Sequence, residues 1–253
     1  MGYPVPGGEF GHVTLKANVT AFDEDVAKNE GYLYTTHPTY SSQVANDRLT
    51  EAVLENIGKQ TRTLIDIGSG DGTSTNDLFH KHPGLTLTGV EPAARAVAVA
   101  QERFPACTFC VGSILDRDTL PSATFDLALL RGVLHHLSDP ALAIANTARL
   151  SSRVLIIEPN GLNPILKIIE KRSAYHVEHE EQSFAPSLLR QWCADAGLTV
   201  TKQTFAGFVP FFFPTGPAKL IHFFQPLLER IPIINRYFSA VVVMVAEHNG
   251  SAG

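Results

Sequence analysis

Residues 64–72 read Leu64-Ile65-Asp66-Ile67-Gly68-Ser69-Gly70-Asp71-Gly72. A short run rich in β-branched residues passes into three glycines at alternate positions, with the acidic Asp66 near the end of the strand. Glycine lacks a Cβ, so backbone there bends sharply and approaches a ligand closely. The helix expected next aims unsatisfied N–H groups at the same spot. The stretch predicts a strand, turn and helix that cradle a nucleotide-type group. The dinucleotide fingerprint needs glycines at its first, third and sixth positions. Counted from Gly68, the sixth position is Thr73, so the pyrophosphate pattern is broken. A single glycine-rich turn is weak evidence, and the segments downstream decide its meaning.

Those segments repeat the pattern of apolar strand and helix. Residues 86–92 (TLTGVEP) predict a second strand ending in a carboxylate, Glu91, followed by Pro92. A carboxylate at that tip is placed to accept hydrogen bonds from both hydroxyls of a ribose. Residues 109–114 (FCVGSI) predict a third strand ending in Ser113 and Ile114, suited to lie along an adenine edge. Residues 125–130 (FDLALL) are a fourth, leading into Arg131 and then the pair His135-His136. Residues 153–160 (RVLIIEPN) are a fifth, carrying Glu158. Near-continuous apolar strands separated by helical stretches indicate a parallel sheet buried on both faces.

In this order LIDIGSGDG, TGVEP, VGSILD, FDLALLRGVLHHLSDP and VLIIEPNG resemble the motifs of the class I, Rossmann-like S-adenosylmethionine-dependent methyltransferases. The resemblance covers residues 60–160. It implies an α/β, doubly wound, seven-stranded, mostly parallel sheet of order 3-2-1-4-5-7-6. An N-terminal helical cap and a hydrophobic insertion before the last strand complete the expectation. It implies S-adenosyl-L-methionine as cofactor, bound through Asp66, Gly68, Gly70, Glu91, Pro92, Ser113, Ile114, Arg131 and Tyr34. Many members carry Asp or Glu where this chain has Ser113.

The 253 residues divide into a cap segment (1–60), a cofactor half (61–160) and a substrate-side half (161–253) that completes the same domain. The cap contains Tyr32, Tyr34 and Arg48, which either touch the site or pack elsewhere, and a helix over residues 42–57. In the last part, residues 185–196 predict a helix opened by Pro186 and stopped by Gly197. Residues 198–203 predict the edge strand, and residues 241–246 a strand inserted antiparallel beside the fifth. Between those two strands, residues 205–239 are rich in Phe and Leu and interrupted by Pro. This insertion, with Phe208 near its start, reads as the wall of an apolar acceptor pocket, as a flap or dimer contact, or as a membrane-surface contact. Its few basic residues weigh against the last.

Candidates for chemistry stand at the carboxyl ends of the strands, where ligands bind in this fold. His136 and His135 are candidate bases, or residues that orient the following helix. Glu158 either meets an acceptor or holds a loop N–H. His179, in a His- and Glu-rich turn, is a candidate acceptor contact. With His176 and Glu180 it also has metal-ligand spacing, although such turns are commonly solvated, and no metal is expected. Cys107 and Cys110 spell C-x-x-C, but their odd offset on a strand points them to opposite faces, and Cys193 reads as core.

Composition sets limits. Hydrophobic residues make up 44% of the chain and charged residues 18%, as in a globular protein. The net charge of −5 disfavours a nucleic-acid partner, which needs a basic face. No start-proximal apolar run and three cysteines suit a cytoplasmic protein. The partner expected is a small-molecule acceptor, with membrane contact not favoured and the protein a monomer or homodimer. The function expected is methyl transfer to a small, mainly apolar metabolite: aromatic, indole-like, polyketide-like or isoprenoid. A membrane-associated quinone or lipid methyltransferase and a non-catalytic cofactor-binding module are the alternatives.

Overall fold

The structure, a computed structural model, describes residues 38–172 and 182–248. Tyr32, Tyr34, His176, His179 and Glu180 lie outside the described residues. The elements are α1 (Tyr40–Leu54), β1 (Thr63–Ile67), α2 (Thr73–Lys81), β2 (Thr86–Glu91), α3 (Ala94–Arg103), β3 (Thr108–Val111), β4 (Leu127–Arg131), α4 (Pro140–Leu150), β5 (Arg153–Pro159), α5 (Pro164–Arg172), α6 (Pro186–Asp195), β6 (Leu198–Ala206), α7 (Thr215–Leu228), α8 (Pro232–Phe238) and β7 (Val241–His248). The seven strands form one sheet in the order β3-β2-β1-β4-β5-β7-β6. Six run in one direction, and β7 lies antiparallel between β5 and β6.

The apolar runs form strands because both faces of the sheet are covered. Ile65, Ile67, Ala128, Leu130, Val154 and Ile156 face one core; Leu64, Leu127, Leu129, Leu155 and Ile157 face the other. Each such Leu, Ile or Val side chain, at 2% exposure or less, stabilises the fold by about 1.5–3 kcal/mol relative to solvent. Cys107 faces the second core and Cys110 packs on the first, the opposite orientations expected of an odd offset. Cys193 is buried on α6, and burial pushes its thiol up to about 11.

Element ends follow local chemistry. Asp139 accepts a hydrogen bond from the Leu142 amide at 2.9 Å and Pro140 opens α4, an N-cap followed by a proline with no N–H to lose. Pro186 opens α6, and Gly197 stops it at φ +79°. Asp126 ties β4 to β1: its Oδ2 accepts from the amides of Arg62 (2.8 Å) and Thr63 (2.9 Å).

Several boundaries differ from the sequence expectation, three of them near the candidate site or the insertion. The third strand ends at Val111, so Ser113 and Ile114 belong to the following loop. The edge strand runs on to Ala206, which puts Phe205 in the sheet and not in the insertion. The first helix starts at Tyr40 and ends at Leu54. The edge strand extends because β7 continues to pair with it through Phe205↔Val242 and Ala206↔Val241, across an irregularity between Val200 and Lys202.

Pairing also fixes where the insertion sits. Pro159, Val241 and Ala206 lie side by side at one edge of the sheet. This is the carboxyl edge of the parallel strands, so residues 207–240 rise from the edge that carries the glycine-rich turn.

Candidate functional site

The turn after β1 is built on left-handed backbone at Gly68 (φ +74°), Gly70 (φ +57°) and Gly72 (φ +80°). A Cβ at Gly68 would lie 2.7 Å from Cγ2 of Val133, on the turn that follows β4. One turn therefore has to be glycine for the other to close against it. The amides of Gly68 and Ser69 donate to the Val90 carbonyl (2.8 and 3.2 Å), which ties this turn to the tip of β2.

Glu91 completes that tip. Its Oε2 accepts from the Gly70 amide at 3.1 Å and its Oε1 from the Ala93 amide at 3.0 Å. The carboxylate is thus aimed across the glycine turn, and it is fixed at both oxygens. Pro92, half-buried behind it, ends the strand.

Asp66 has a different position. It is 3% exposed, and its Oδ2 accepts from Thr75 Oγ1 at 2.6 Å. Burial pushes its pKa up, opposed by the Thr75 bond and the charge of Arg131. Asp66 therefore braces the start of α2 from below. Arg131 bonds Thr50 Oγ1 (3.2 Å) and the Asn46 carbonyl and side chain (3.3 and 3.2 Å), joining the β4 tip to α1. Burial pulls its pKa down, against the charges of Asp66, Asp77 and Asp47. Both residues, expected as cofactor contacts, spend their side chains on the scaffold. Arg48, from the cap, is likewise held by Glu229 of the insertion at 2.9 Å.

Ser113 bonds within its own loop: its amide donates to Thr119 Oγ1 at 2.9 Å, and its Oγ accepts from the Leu115 amide at 3.3 Å. Ile114 is 4% exposed in the first core, and its carbonyl accepts from Asn146 at 2.8 Å. Phe208 is half-buried at the start of the insertion, its amide donating to Gln225 Oε1 at 3.0 Å.

The β4 and β5 tips meet at Glu158. Its side chain is wholly buried. Oε1 accepts from the amides of Val133 and Leu134, both at 2.8 Å, and Oε2 lies 2.8 Å from His135 Nδ1. Of the two readings of Glu158, acceptor contact or holder of a loop N–H, the side chain here makes the second, bonded to the Val133 and Leu134 amides. When Glu158 is ionised it can only accept, and a neutral His135 ring then carries its proton on Nδ1. His136 stacks on His135 with ring centroids 3.9 Å apart.

Sequence reading missed the roles of Asn160 and Asn163. Asn160 Nδ2 donates to the carbonyls of Arg236 (3.0 Å) and Ser239 (3.2 Å), and Asn163 Nδ2 to those of Phe238 (3.1 Å) and Ser239 (3.0 Å). The pair clamps the end of the insertion to the β5 exit. Gly161 between them is required, since a Cβ there would lie 2.4 Å from the Phe184 backbone. Asn before Pro164 was a legible helix start, but its second partner lies 75 residues away.

A profile described as a methyltransferase domain matches residues 65–153. The structure superposes on a Thermotoga maritima protein, a possible histamine N-methyltransferase, with a TM-score of 0.63 at 16% identity, covering 95% of this chain and all of that one. It superposes on the magnesium protoporphyrin IX methyltransferase of Synechocystis with a TM-score of 0.62 at 11% identity, covering 97% of this chain and all of that one. The fold is that of the class I S-adenosylmethionine-dependent methyltransferases. Among curated sequences, the trans-aconitate 2-methyltransferase of Escherichia fergusonii is 31% identical over 107 residues, 42% of this chain and 40% of that one. The chain spans less than half the length of the curated relatives it matches.

The residues present fit the cofactor that this methyltransferase fold implies. The left-handed turn at Gly68 and Gly70 carries no side chain beside the tip of β2, and Glu91 supplies a carboxylate there that is bonded to the Gly70 amide. Glu91 and the Gly68–Gly70 turn would hold it, with Pro92 and Ser113 flanking. Among the described residues no cluster of three His, Cys, Asp or Glu is placed to hold a metal ion.

Proposed function

We propose that this protein transfers a methyl group from S-adenosyl-L-methionine to a small, mainly apolar acceptor. The observation that carries the reading is Glu91, locked at both oxygens against the left-handed Gly68–Gly70 turn. When bound, the cofactor supplies a methyl group already activated by its sulfonium. The chain then has to position an acceptor and manage its proton. Positioning contributes on the order of 7–11 kcal/mol in favourable cases.

Glu91 would hold the ribose hydroxyls of the cofactor at the β2 tip, and the Gly68–Gly70 turn would lie against its adenosyl part. His135 is the base for an acceptor that carries a proton, taking it at Nε2 while Glu158 fixes the ring and stabilises the charge that forms. A base so placed contributes about 10²–10⁴-fold. The apolar residues of the insertion, which rises from the same edge, favour an apolar acceptor.

Two measurements test this reading. Calorimetry with S-adenosylhomocysteine reads the cofactor site directly. Transfer of labelled methyl into an apolar metabolite extract reads catalysis. Binding without transfer to any acceptor pool identifies a non-catalytic module; no binding overturns the assignment.

A further inference from the structure

Helix α7 carries its polarity in an unusual sense. A helix on a protein surface normally turns apolar residues inward and polar ones outward. In α7 and its C-cap, two polar side chains, Gln225 and Glu229, point in while a run of large apolar ones points out. Gln225 is 6% exposed and accepts from the Phe208 amide. Glu229 accepts from the Gly207 amide at 2.9 Å and pairs with Arg48. Leu220, Phe223, Phe224 and Leu227 occupy positions i, i+3, i+4 and i+7 and form one outward stripe, with exposures of 62%, 76%, 44% and 56%. The inward side already has its own apolar packing, since Ala218 and Ile221 meet Val44, Val209, Tyr40 and Phe213. The outward stripe is therefore surplus to the fold. It continues onto α8 with Ile233 (72% exposed), and α8 packs on α5, where Ile165 and Ile168 are exposed.

Charge around the stripe says what would cover it. Residues 207–240 hold three basic residues, Lys219, Arg230 and Arg236, and one acidic residue, Glu229. All three cations are exposed, while Glu229 is turned inward and neutralised by Arg48. A net basic, aromatic-rich surface thus stands on a chain of net charge −5. Among the described residues of the insertion, a symmetric dimer through this face would bring the cations of two copies together with only Glu229, already paired with Arg48, to offset them. An anionic lipid surface meets both properties: the stripe enters the acyl boundary and the cations meet headgroup phosphates.

We infer that the α7–α8 insertion docks the protein on the surface of anionic bilayers, through Leu220, Phe223, Leu227 and Ile233 with Lys219, Arg230 and Arg236 at the rim. The protein lies on the surface and does not cross it: among the described residues no helix is long and apolar enough to span a membrane. The inference does not depend on the cofactor assignment. It goes beyond that reading by supplying a route for acceptors that partition into lipid.

The test is flotation of the full chain with phosphatidylcholine vesicles, with and without phosphatidylglycerol. The protein is expected to float with the anionic vesicles and to be released by salt. Each cation near such a surface contributes roughly fivefold in partition, so charge reversal at Lys219, Arg230 and Arg236 together should abolish flotation. Phe223→Asp with Leu227→Asp should abolish it too, with an unchanged melting temperature because both positions are exposed. Three results overturn the inference. These are a protein that stays at the bottom with both vesicle types, an Asp variant that floats as the parent does, and a dimer on gel filtration that the Asp variant dissociates while neither binds vesicles.

Discussion

His135 and Glu158, 23 residues apart in sequence, are joined at 2.8 Å where the tips of β4 and β5 meet. The same carboxylate also accepts from the Val133 and Leu134 amides, so one buried group sets both the turn and the imidazole. Glu158→Ala leaves these donors unpaired, at about 1–3 kcal/mol for each one that stays buried. Urea denaturation should show a large loss of stability. Glu158→Gln separates structure from chemistry. It retains one oxygen for the two amides but turns an NH2 group toward Nδ1, which forces the proton to Nε2. Folding should be nearly kept, while turnover falls by about 10²–10⁴-fold and the alkaline-rising limb of the pH–rate profile is lost. An unchanged profile in this variant would remove His135 from the mechanism.

Glu91→Ala removes the carboxylate from the β2 tip. Hydrogen bonds to a charged group contribute about 1.5–3 kcal/mol each, so affinity for S-adenosylhomocysteine should fall by roughly 10- to 100-fold. Calorimetry reads the change. Equal affinity in the variant would refute the ribose role.

Gly68→Ala meets two penalties. Its Cβ would stand 2.7 Å from Val133 Cγ2, and the residue would have to hold φ +74°. The expected loss is about 1–3 kcal/mol. Adding Val133→Ala relieves the contact but not the backbone, so the double variant should recover only part of the stability. Full recovery would show that the left-handed backbone costs nothing.

Asp126 gives a pH signature. Its two bonds to the Arg62 and Thr63 amides hold its carboxyl below the ordinary 3.8. A depressed folded value stabilises the protein above the unfolded pKa, and that contribution disappears as the pH falls through the lower folded value. Asp126→Asn should therefore lower the melting temperature at neutral pH, and the gap to the parent should close below about pH 3.8. A gap that persists at low pH would mean that the amide cannot replace the carboxylate for reasons other than charge.

The strands and the glycine turn were legible because they are local, whereas the strand order was expected only from the resemblance of the motifs to a known family. Five apolar runs announce buried parallel strands, and alternate glycines announce a turn that no other residue could make. The helix over residues 186–195 was legible from Pro186 and Gly197 alone. The side-chain roles were less so. Asp66, Arg131 and Glu158 look alike in sequence to cofactor or substrate ligands, because a charged residue at a strand tip has the same one-dimensional signature whether it faces in or out. Their partners, Thr75, Thr50 with Asn46, and the Val133–His135 turn, are fixed only by packing. Likewise the insertion read as apolar from its Phe and Leu content, but the direction of its polarity was hidden. Gln225 and Glu229 turn inward because Phe208, Gly207 and Arg48 wait there.

By itself, then, the sequence determined the strands and the glycine turn, since these follow from periodicity and from glycine's lack of a side chain, and the strand order came from the family that its motifs resemble. Tertiary structure alone decided which acids brace the scaffold, which carboxylate holds the His135 ring, and which face of the insertion looks outward. Those outcomes depend on contacts between residues far apart in the chain, and no local pattern encodes them.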